Sequence, residues 1–195
     1  LPACGRDGHA DLVRIVLSEG RLLSHAPAGA EIWIDGGHNP GAGEVIAEAM
    51  ANFEERQPRP LFLIIGMINT KDPVGYFRAF AGLVEKVFCV PIRNSDAMID
   101  PVILSNAAYD AGLVAEPMSI VGDALEAIKA VLDPEGLPPR ILVGGSLYLV
   151  GDVLSAVDLY WATMVVIVAP LPHEACPMPD GLRQAYSGSP EHIRA

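Results

Sequence analysis

The chain is poor in basic residues, and its lysines and arginines form no visible cluster. Thirteen Lys and Arg stand against 24 Asp and Glu, which gives a formal net charge of −11. Proteins that bind nucleic acid usually present a basic face to the phosphates. The composition therefore argues against a nucleic-acid partner. An anionic substrate would have to be held by a few placed groups and by helix N-termini.

Long hydrophobic runs and a secretory signal are also missing. The longest apolar run, Leu159 to Leu171, is shorter than the roughly 20 residues that a membrane-spanning helix requires. The first residues lack the basic segment and uninterrupted apolar stretch of a signal peptide. We therefore predict no membrane association and a cytoplasmic protein.

Cysteine is scarce and odd in number, with Cys4, Cys89 and Cys176 far apart in the chain. This spacing predicts neither a disulfide framework nor a zinc site, and it suits a reducing compartment. Cys89 lies inside an apolar run, which favours a small buried side chain. No metal ligands are predicted in this chain.

What the sequence does contain is a regular alternation of apolar runs and helical segments. An apolar fraction of 51% over 195 residues fits one compact domain. Strands are predicted at Ile32 to Ile34, Leu61 to Ile65, Lys86 to Ile92 and Arg140 to Val143, and the continuous apolar run from Leu61 to Ile65 is typical of a parallel strand covered on both faces. With helices between them, they predict a Rossmann-like α/β fold: a mostly parallel sheet with helices on both faces.

Three local details are predicted for the second half of the chain. The helix over Pro101 to Ala111 has Val102, Ile103, Ala107 and Ala108 on its apolar face. Asp123 caps the helix that follows it. Between these two helices, Ser119 to Val121 forms a minor strand.

The segment from Glu31 to Pro40, EIWIDGGHNP, contains a strand, a polar loop and the start of a helix. Ligands of open α/β sheets bind beyond the carboxyl ends of the strands. There Asp35 can accept hydrogen bonds from a ribose or sugar hydroxyl, and His38 can stack on a base or donate to a phosphate. The same residue types are also ordinary in turns and caps. The residues alone leave a ligand site and a plain connection both open.

Two other predicted strands also end in polar loops. The loop Gly66 to Pro73 contains Lys71, which either neutralises a substrate carboxylate or developing phosphate charge, or is a solvated loop lysine. The turn Gly144-Gly-Ser146 leads into the last helix, where Ser146 either faces a ligand or caps the helix. Both loops would share the carboxyl edge of the sheet with Asp35.

The stretch Asp35-Gly-Gly-His-Asn-Pro40 resembles the signature that opens the C-terminal domain of the folylpolyglutamate synthase/dihydrofolate synthase family, a branch of the Mur ligase superfamily. A second stretch, Gly145-Ser-Leu-Tyr-Leu-Val-Gly151, is similar to a segment of the same family. The resemblance covers about Ala30 to Ala156. It implies a Mur-ligase-type C-terminal α/β domain over residues 30–157.

The ends of the chain do not match this family. Residues 1–29 are interpreted as a poorly matched leader or linker, and residues 158–195 as an unmatched tail. We expect the residues before about Leu17 and after about Asp158 to be translated out of frame, or to come from fusion to unrelated DNA. The tail should then be disordered or loosely packed.

The resemblance implies an ATP-dependent ligase that joins L-glutamate to a folate carboxylate through an acyl phosphate. It implies that Asp35 binds the ribose of the nucleotide, that His38 packs near the adenine, and that Asn39 supports the loop. It also implies an ATP-contacting arginine, for which Arg21 is one candidate and Arg14 another.

The same resemblance implies that the catalytic residues Lys71 and Ser146 face the glutamate. No P-loop pattern, Gly-x-x-x-x-Gly-Lys-Ser/Thr, occurs in the chain. In the resembled family this motif belongs to an N-terminal ATPase domain, which also carries the Mg²⁺ ligands and most of the folate site. We therefore expect ATP, Mg²⁺, L-glutamate, a folate or dihydropteroate and that ATPase domain as partners, and an inactive isolated chain.

Two alternatives remain open. The chain could be a fragment of a peptidoglycan Mur ligase, although such enzymes generally carry an aromatic residue soon after the strand-end aspartate, where this chain has Gly36 and Gly37. It could also be a non-enzymatic α/β module that binds a nucleotide or a protein partner. The sequence does not decide between dihydrofolate and polyglutamate synthesis.

Overall fold

A computed structural model describes residues 13–15, 25–93 and 95–153 of the chain. Arg21 and the predicted tail from residue 158 onward lie outside the described residues, and of Arg14 only the backbone is described. The elements, in chain order, are β1 Val13–Ile15, β2 Glu31–Ile34, α1 Pro40–Arg56, β3 Leu61–Ile65, α2 Pro73–Arg78, β4 Lys86–Cys89, α3 Pro101–Asp110, β5 Ala115–Pro117, α4 Val121–Val131, β6 Arg140–Gly144 and α5 Leu147–Val153.

The described strands form one six-stranded sheet in the order β1-β2-β6-β3-β4-β5. The strands β2, β6, β3, β4 and β5 all run parallel to one another. Only β1 is antiparallel, to β2, among the described strands. The prediction of a mostly parallel α/β sheet is therefore confirmed. The last of the described strands in chain order, β6, lies between the first two parallel strands, β2 and β3.

Both faces of the central strands are covered. Leu63 and Ile65 of β3 belong to a buried cluster that contains residues of α1, α2 and α3. The intervening residues Phe62 and Ile64 point to the other face, because side chains alternate along a strand, and they are as deeply buried. The helix α4 contacts β3 and buries residues that do not belong to the first cluster. Two helical layers thus enclose the sheet.

A buried ion pair joins the amino ends of β2 and β6. Arg140 Nε donates to Glu31 Oε2 at 3.1 Å, and Arg140 Nη2 donates to the Gln57 carbonyl oxygen at 3.3 Å. The guanidinium of Arg140 also lies over the Phe53 ring, 5.4 Å from its centroid. Because Glu31 stands opposite Arg140 in the parallel register, this pair sets where both strands begin. It therefore also sets where they end.

The predicted apolar face of α3 is confirmed for Ala107 and Ala108 and wrong for Val102 and Ile103. The exposures of Val102 and Ile103 are 54% and 63%, and the helix buries Leu104 together with Ala107 and Ala108. The helix starts at Pro101, after the cap Asp100. Residues 104, 107 and 108 then form the i, i+3, i+4 stripe towards the sheet, and the first turn points away from it.

The two predictions for the segment before α4 are also wrong. The minor strand is β5, Ala115–Pro117, and not Ser119 to Val121, because Val121 already begins α4. Ile120 occupies the N-cap position of α4 and makes no side-chain cap. Asp123 lies in the first turn of α4, where a carboxylate is favoured by the positive end of the helix dipole.

No helix in the described part of the chain is long and apolar enough to cross a membrane.

The buried ion pair of β2 and β6 leads to a stability prediction. Arg140→Ala removes the shorter of the two described ion pairs of Glu31 and should lower the free energy of unfolding by about 3–5 kcal/mol. Lys129→Ala, at the half-exposed pair with Glu126, should cost less than about 1 kcal/mol. Urea unfolding followed by circular dichroism measures both. Equal effects of the two substitutions would contradict the structural role of Arg140.

The second prediction concerns Cys89, which is fully buried at the end of β4. Burial raises the pKa of the Cys89 thiol from 9.0 to about 12. The folded state therefore holds the thiol proton more tightly, so this contribution to stability is complete below pH 9 and is lost towards pH 12. At pH 8 iodoacetamide should modify Cys89 in urea but not in the folded chain. Peptide mass mapping separates Cys89 from the other cysteines, and equal labelling in both states would contradict its burial.

Candidate functional site

The position of β6 brings three polar loops to one edge of the sheet. Asp35 N donates to the Val143 carbonyl oxygen at 3.1 Å, and Gly66 N donates to the Gly144 carbonyl oxygen at 3.2 Å. The loops that follow β2, β6 and β3 therefore leave the sheet side by side. In α/β sheets, ligands bind beyond the carboxyl ends of the strands, where such loops meet. This edge is the candidate functional site.

Asp35 ends β2 as a buried carboxylate, with 8% of its surface exposed. Its Oδ1 accepts a hydrogen bond from Gly37 N at 2.6 Å, which folds the loop back over the strand end. A Cβ at Gly37 would lie 2.7 Å from Ile46 Cδ1, and a Cβ at Gly36 would collide with the side chain of Leu147. The loop passes close to both α1 and α5, and glycine at these two positions permits that close approach.

His38 and Asn39 complete this loop. The ring of His38 is half-buried, and its Nδ1 lies 3.0 Å from the Gly36 carbonyl oxygen, to which it donates when Nδ1 carries the proton. Asn39 is the N-cap of α1, and its Oδ1 accepts from Ala42 N at 2.9 Å. Asn39 thus stabilises the loop and the start of the helix. The nucleotide-binding roles of His38 and Asn39 stay predictions.

Lys71 lies half-buried in the loop after β3. This loop is tied to the loop after β4, because Asn69 N donates to the Ala97 carbonyl oxygen at 2.7 Å. Directly after Lys71, Asp72 caps α2 through a bond from Gly75 N of 2.9 Å. Gly75 also packs against Pro40, so α1 and α2 begin next to each other. The loop of Lys71 therefore adjoins the loop of Asp35, and the role of the ammonium stays a prediction.

Ser146 occupies the turn between β6 and α5 and is buried. Its Oγ accepts a hydrogen bond from Tyr148 N at 3.1 Å, and its carbonyl oxygen accepts from Val150 N at 3.1 Å. The capping alternative is therefore realised in the structure. A contact between Ser146 and a ligand stays a prediction.

Tyr76 of α2 is a residue of this region that the sequence did not reveal. Its side chain is fully buried, and its hydroxyl has no hydrogen-bond partner among the described residues. The hydroxyl lies 3.8 Å from the position that a Cβ would take at Gly144. Burial, and to a smaller extent the charge of Asp35, raises the pKa of Tyr76, so the hydroxyl keeps its proton. Beside Phe77 and Phe80 the sequence predicts a plain core aromatic here.

Among residues 13–15, 25–93 and 95–153, no three His, Cys, Asp or Glu side chains come together in a way that could hold a metal ion. The described edge offers one buried carboxylate, which does not fit a metal site made by this domain alone. The candidate arginine, Arg21, lies outside the described residues.

The chain matches a known protein family. A family model described as the C-terminal domain of dihydrofolate synthetase matches residues 21–156, more than half of the chain. The matched range contains the loops of Asp35, Lys71 and Ser146. Among curated proteins, no sequence matches the chain significantly.

Several solved structures share the fold. Folylpolyglutamate synthase of Mycobacterium tuberculosis, complexed with ADP and AMPPCP, is 20% identical, with a TM-score of 0.54 over 65% of this chain and 29% of that one. FolC of E. coli, in complex with DHPP and ADP, is 22% identical, with a TM-score of 0.52 over 67% and 29%. The bifunctional folylpolyglutamate synthase/dihydrofolate synthase of Yersinia pestis, complexed with AMPPNP and a Mn ion, is 20% identical, with a TM-score of 0.51 over 65% and 28%. The chain thus spans less than a third of the length of each of these proteins.

The close approach of β6 to the strand-end loop of β2 leads to the third prediction. A Cβ at Gly144 would lie 2.8 Å from the Asp35 carbonyl oxygen, which is backbone and cannot move aside cheaply. Gly144→Ala should therefore destabilise the chain by about 1–3 kcal/mol. Gly151→Ala is the matched control, because nothing lies within 4 Å of its added Cβ. This helical position should gain about 0.5–1 kcal/mol from the same change. Urea unfolding distinguishes the two, and a neutral Gly144→Ala would contradict the close contact.

Proposed function

Because this chain belongs to the dihydrofolate synthetase C-terminal domain family, we propose that it forms the glutamate-side, nucleotide-contacting domain of an ATP-dependent folate ligase. In the complete enzyme, ATP phosphorylates the carboxylate of dihydropteroate or tetrahydrofolate and leaves as ADP. The amino group of L-glutamate attacks the resulting acyl phosphate, loses a proton and displaces phosphate, which leaves an amide. The observation that carries this proposal is the gathering of three polar loops around β6 at one edge.

The nucleotide is proposed to bind at the loop after β2. Asp35 is a carboxylate at a strand end, and carboxylates in this place of α/β folds accept hydrogen bonds from ribose hydroxyls. Gly36 and Gly37 carry no side chains that would keep a ligand away from the backbone. The half-buried ring of His38 is proposed to pack near the adenine, while Asn39 holds the loop at the start of α1. Arg21 is proposed as a further contact to ATP.

The incoming L-glutamate is proposed to lie towards the loops after β3 and β6. The ammonium of Lys71 offers the positive charge that a glutamate carboxylate or the developing phosphate charge needs. Ser146 lies at the neighbouring strand end, where its capping bond fixes the orientation of the hydroxyl. These residues would act by holding and neutralising the reactants, because most of the rate gain in such a transfer comes from positioning and charge.

The rest of the active site is proposed to lie on an N-terminal ATPase domain. Two large apolar side chains at the same edge support a partner there, since Leu147 and Tyr148 are 70% and 66% exposed at the start of α5. Exposed apolar side chains that adjoin each other are typical of interaction surfaces. We propose that this face contacts the ATPase domain, with residues 30–157 as the family-type domain between a leader, 1–29, which adds β1 to the sheet, and a tail, 158–195.

The cofactors are proposed by analogy with the relatives. The solved relatives are complexes with ADP, with the ATP analogues AMPPCP and AMPPNP, and in one case with a Mn ion. We propose ATP as the nucleotide and Mg²⁺ as the metal ion of the complete enzyme. The Mg²⁺ ligands are assigned to the ATPase domain, because the described residues offer no suitable cluster. We propose a cytoplasmic location, because scarce cysteines, odd in number, suit a reducing compartment.

The family match favours a folate ligase over the alternative of a peptidoglycan Mur ligase fragment. It does not separate dihydrofolate synthesis from polyglutamate synthesis. The other alternative, a non-enzymatic nucleotide-binding or partner-binding module, would use the same edge. Substituting Lys71 in the complete enzyme distinguishes the two alternatives. Turnover should fall if the chain is a ligase domain and should stay unchanged if it is only a binding module.

The fourth prediction tests the nucleotide site directly. Asp35→Asn replaces a charged acceptor by an amide and should weaken ADP binding by the full-length chain at least about tenfold. Asp110→Asn, at the exposed end of α3, makes the same chemical change away from the loops. Isothermal titration calorimetry with ADP gives the affinities, and circular dichroism checks the fold of each variant. An affinity for ADP that is unchanged by Asp35→Asn would overturn the assignment of Asp35, and absent binding by the unchanged chain would overturn the nucleotide site.

A further inference from the structure

The ring of Tyr76 is held rigidly beneath the candidate site. Its backbone is pressed against α1, because a Cβ at Gly43 would lie 2.7 Å from the Tyr76 carbonyl oxygen. The ring contacts the rings of Phe77 and Phe80, with centroid distances of 5.8 and 5.3 Å. These contacts fix the direction of the ring. Its hydroxyl therefore reaches a defined point under the carboxyl end of β6.

That hydroxyl is a buried donor without a partner among the described residues. A phenylalanine would fill the same volume and make the same ring contacts without removing a polar group from water. The hydroxyl therefore costs free energy at this position unless another group offsets it. Packing alone does not account for a tyrosine here.

The groups next to the hydroxyl point to Asp35. The position of a Cβ at Gly144 is 3.8 Å from the Tyr76 hydroxyl and 2.8 Å from the Asp35 carbonyl oxygen, so both residues converge where glycine leaves space. The charge of Asp35 also acts on the phenol, since it adds to the effect of burial in raising the pKa of Tyr76. Because the Tyr76 hydroxyl keeps its proton, it can donate a hydrogen bond, and the carboxylate of Asp35 can accept one.

We propose that Tyr76 is a positioning residue for Asp35: its hydroxyl donates through one bridging water to the Asp35 carboxylate, and it holds that carboxylate ionised and aimed at the ligand. The Gly37 N–H holds the carboxylate from the loop side, and Tyr76 holds it from the core side. The value of this arrangement for ligand binding rests on the proposed nucleotide site. The hydrogen bond itself does not.

The fifth prediction compares two removals of a tyrosine hydroxyl in the full-length chain. Tyr76→Phe should raise the pKa of Asp35, because a donor to the charged form is lost. It should also weaken ADP binding about 3- to 10-fold. Tyr109→Phe is the matched control. The hydroxyl of Tyr109, on α3, donates to the Ala115 carbonyl oxygen at 2.7 Å, and removing it should change neither the pKa of Asp35 nor the affinity for ADP. Carboxyl carbon NMR during a pH titration gives the pKa of Asp35, and calorimetry gives the affinity.

The two readouts separate this inference from the proposed function. If the unchanged chain binds no ADP, the nucleotide site fails, but the titration of Asp35 still decides whether Tyr76 positions it. If Asp35 titrates identically in the unchanged chain and in Tyr76→Phe, the inference is overturned whatever ADP does. Should Tyr76→Phe fail to fold, 3-fluorotyrosine at position 76 replaces it. A stronger donor should then lower the pKa of Asp35, and an unchanged pKa would overturn the inference.

Discussion

The placement of β6 between β2 and β3 is the constraint on which the rest of the structure depends. Backbone hydrogen bonds from Asp35 to Val143 and from Gly66 to Gly144 join the carboxyl ends of three strands that are far apart in the chain. At the opposite edge, the buried pair of Glu31 and Arg140 fixes the register of the same strands. Stability at one edge thus determines the geometry at the other.

Close backbone approach is what makes the gathered edge rigid. Gly144 lets β6 run against the carbonyl of Asp35, and Gly43 lets α2 press against α1. The contact at Gly43 holds the backbone of Tyr76, and the Tyr76 hydroxyl lies near the contact at Gly144. The buried carboxylate of Asp35 is therefore surrounded by elements that cannot shift independently. A ligand that binds at this edge would meet groups that are already in place.

Much of the fold could be predicted from the sequence, because its strands are continuous apolar runs and its helices have clear periodicity. The position of β6 could not, since no local pattern in Arg140 to Gly144 states which strands it joins. Asp123 was misplaced because helix starts shift by a residue or two without a visible signal. The start of α3 was predicted correctly, and Val102 and Ile103 were misplaced because their apolar character alone does not show which side of the helix faces the sheet. The loops were found from their residue types. Tyr76 was not, because only the fold shows that its hydroxyl lies near Gly144 of β6.

The central claim is that the loops around β6 form one ligand edge, and hydrogen exchange tests it most directly. Deuterium uptake of the full-length chain would be followed by mass spectrometry with and without ADP and L-glutamate. Exchange should slow in residues 35–39 and 144–148, the loops after β2 and β6, when ADP is added. It should slow in residues 66–72, the loop after β3, when glutamate is added. Protection confined to the amino edge, around residues 57–60 and 138–140, would contradict it.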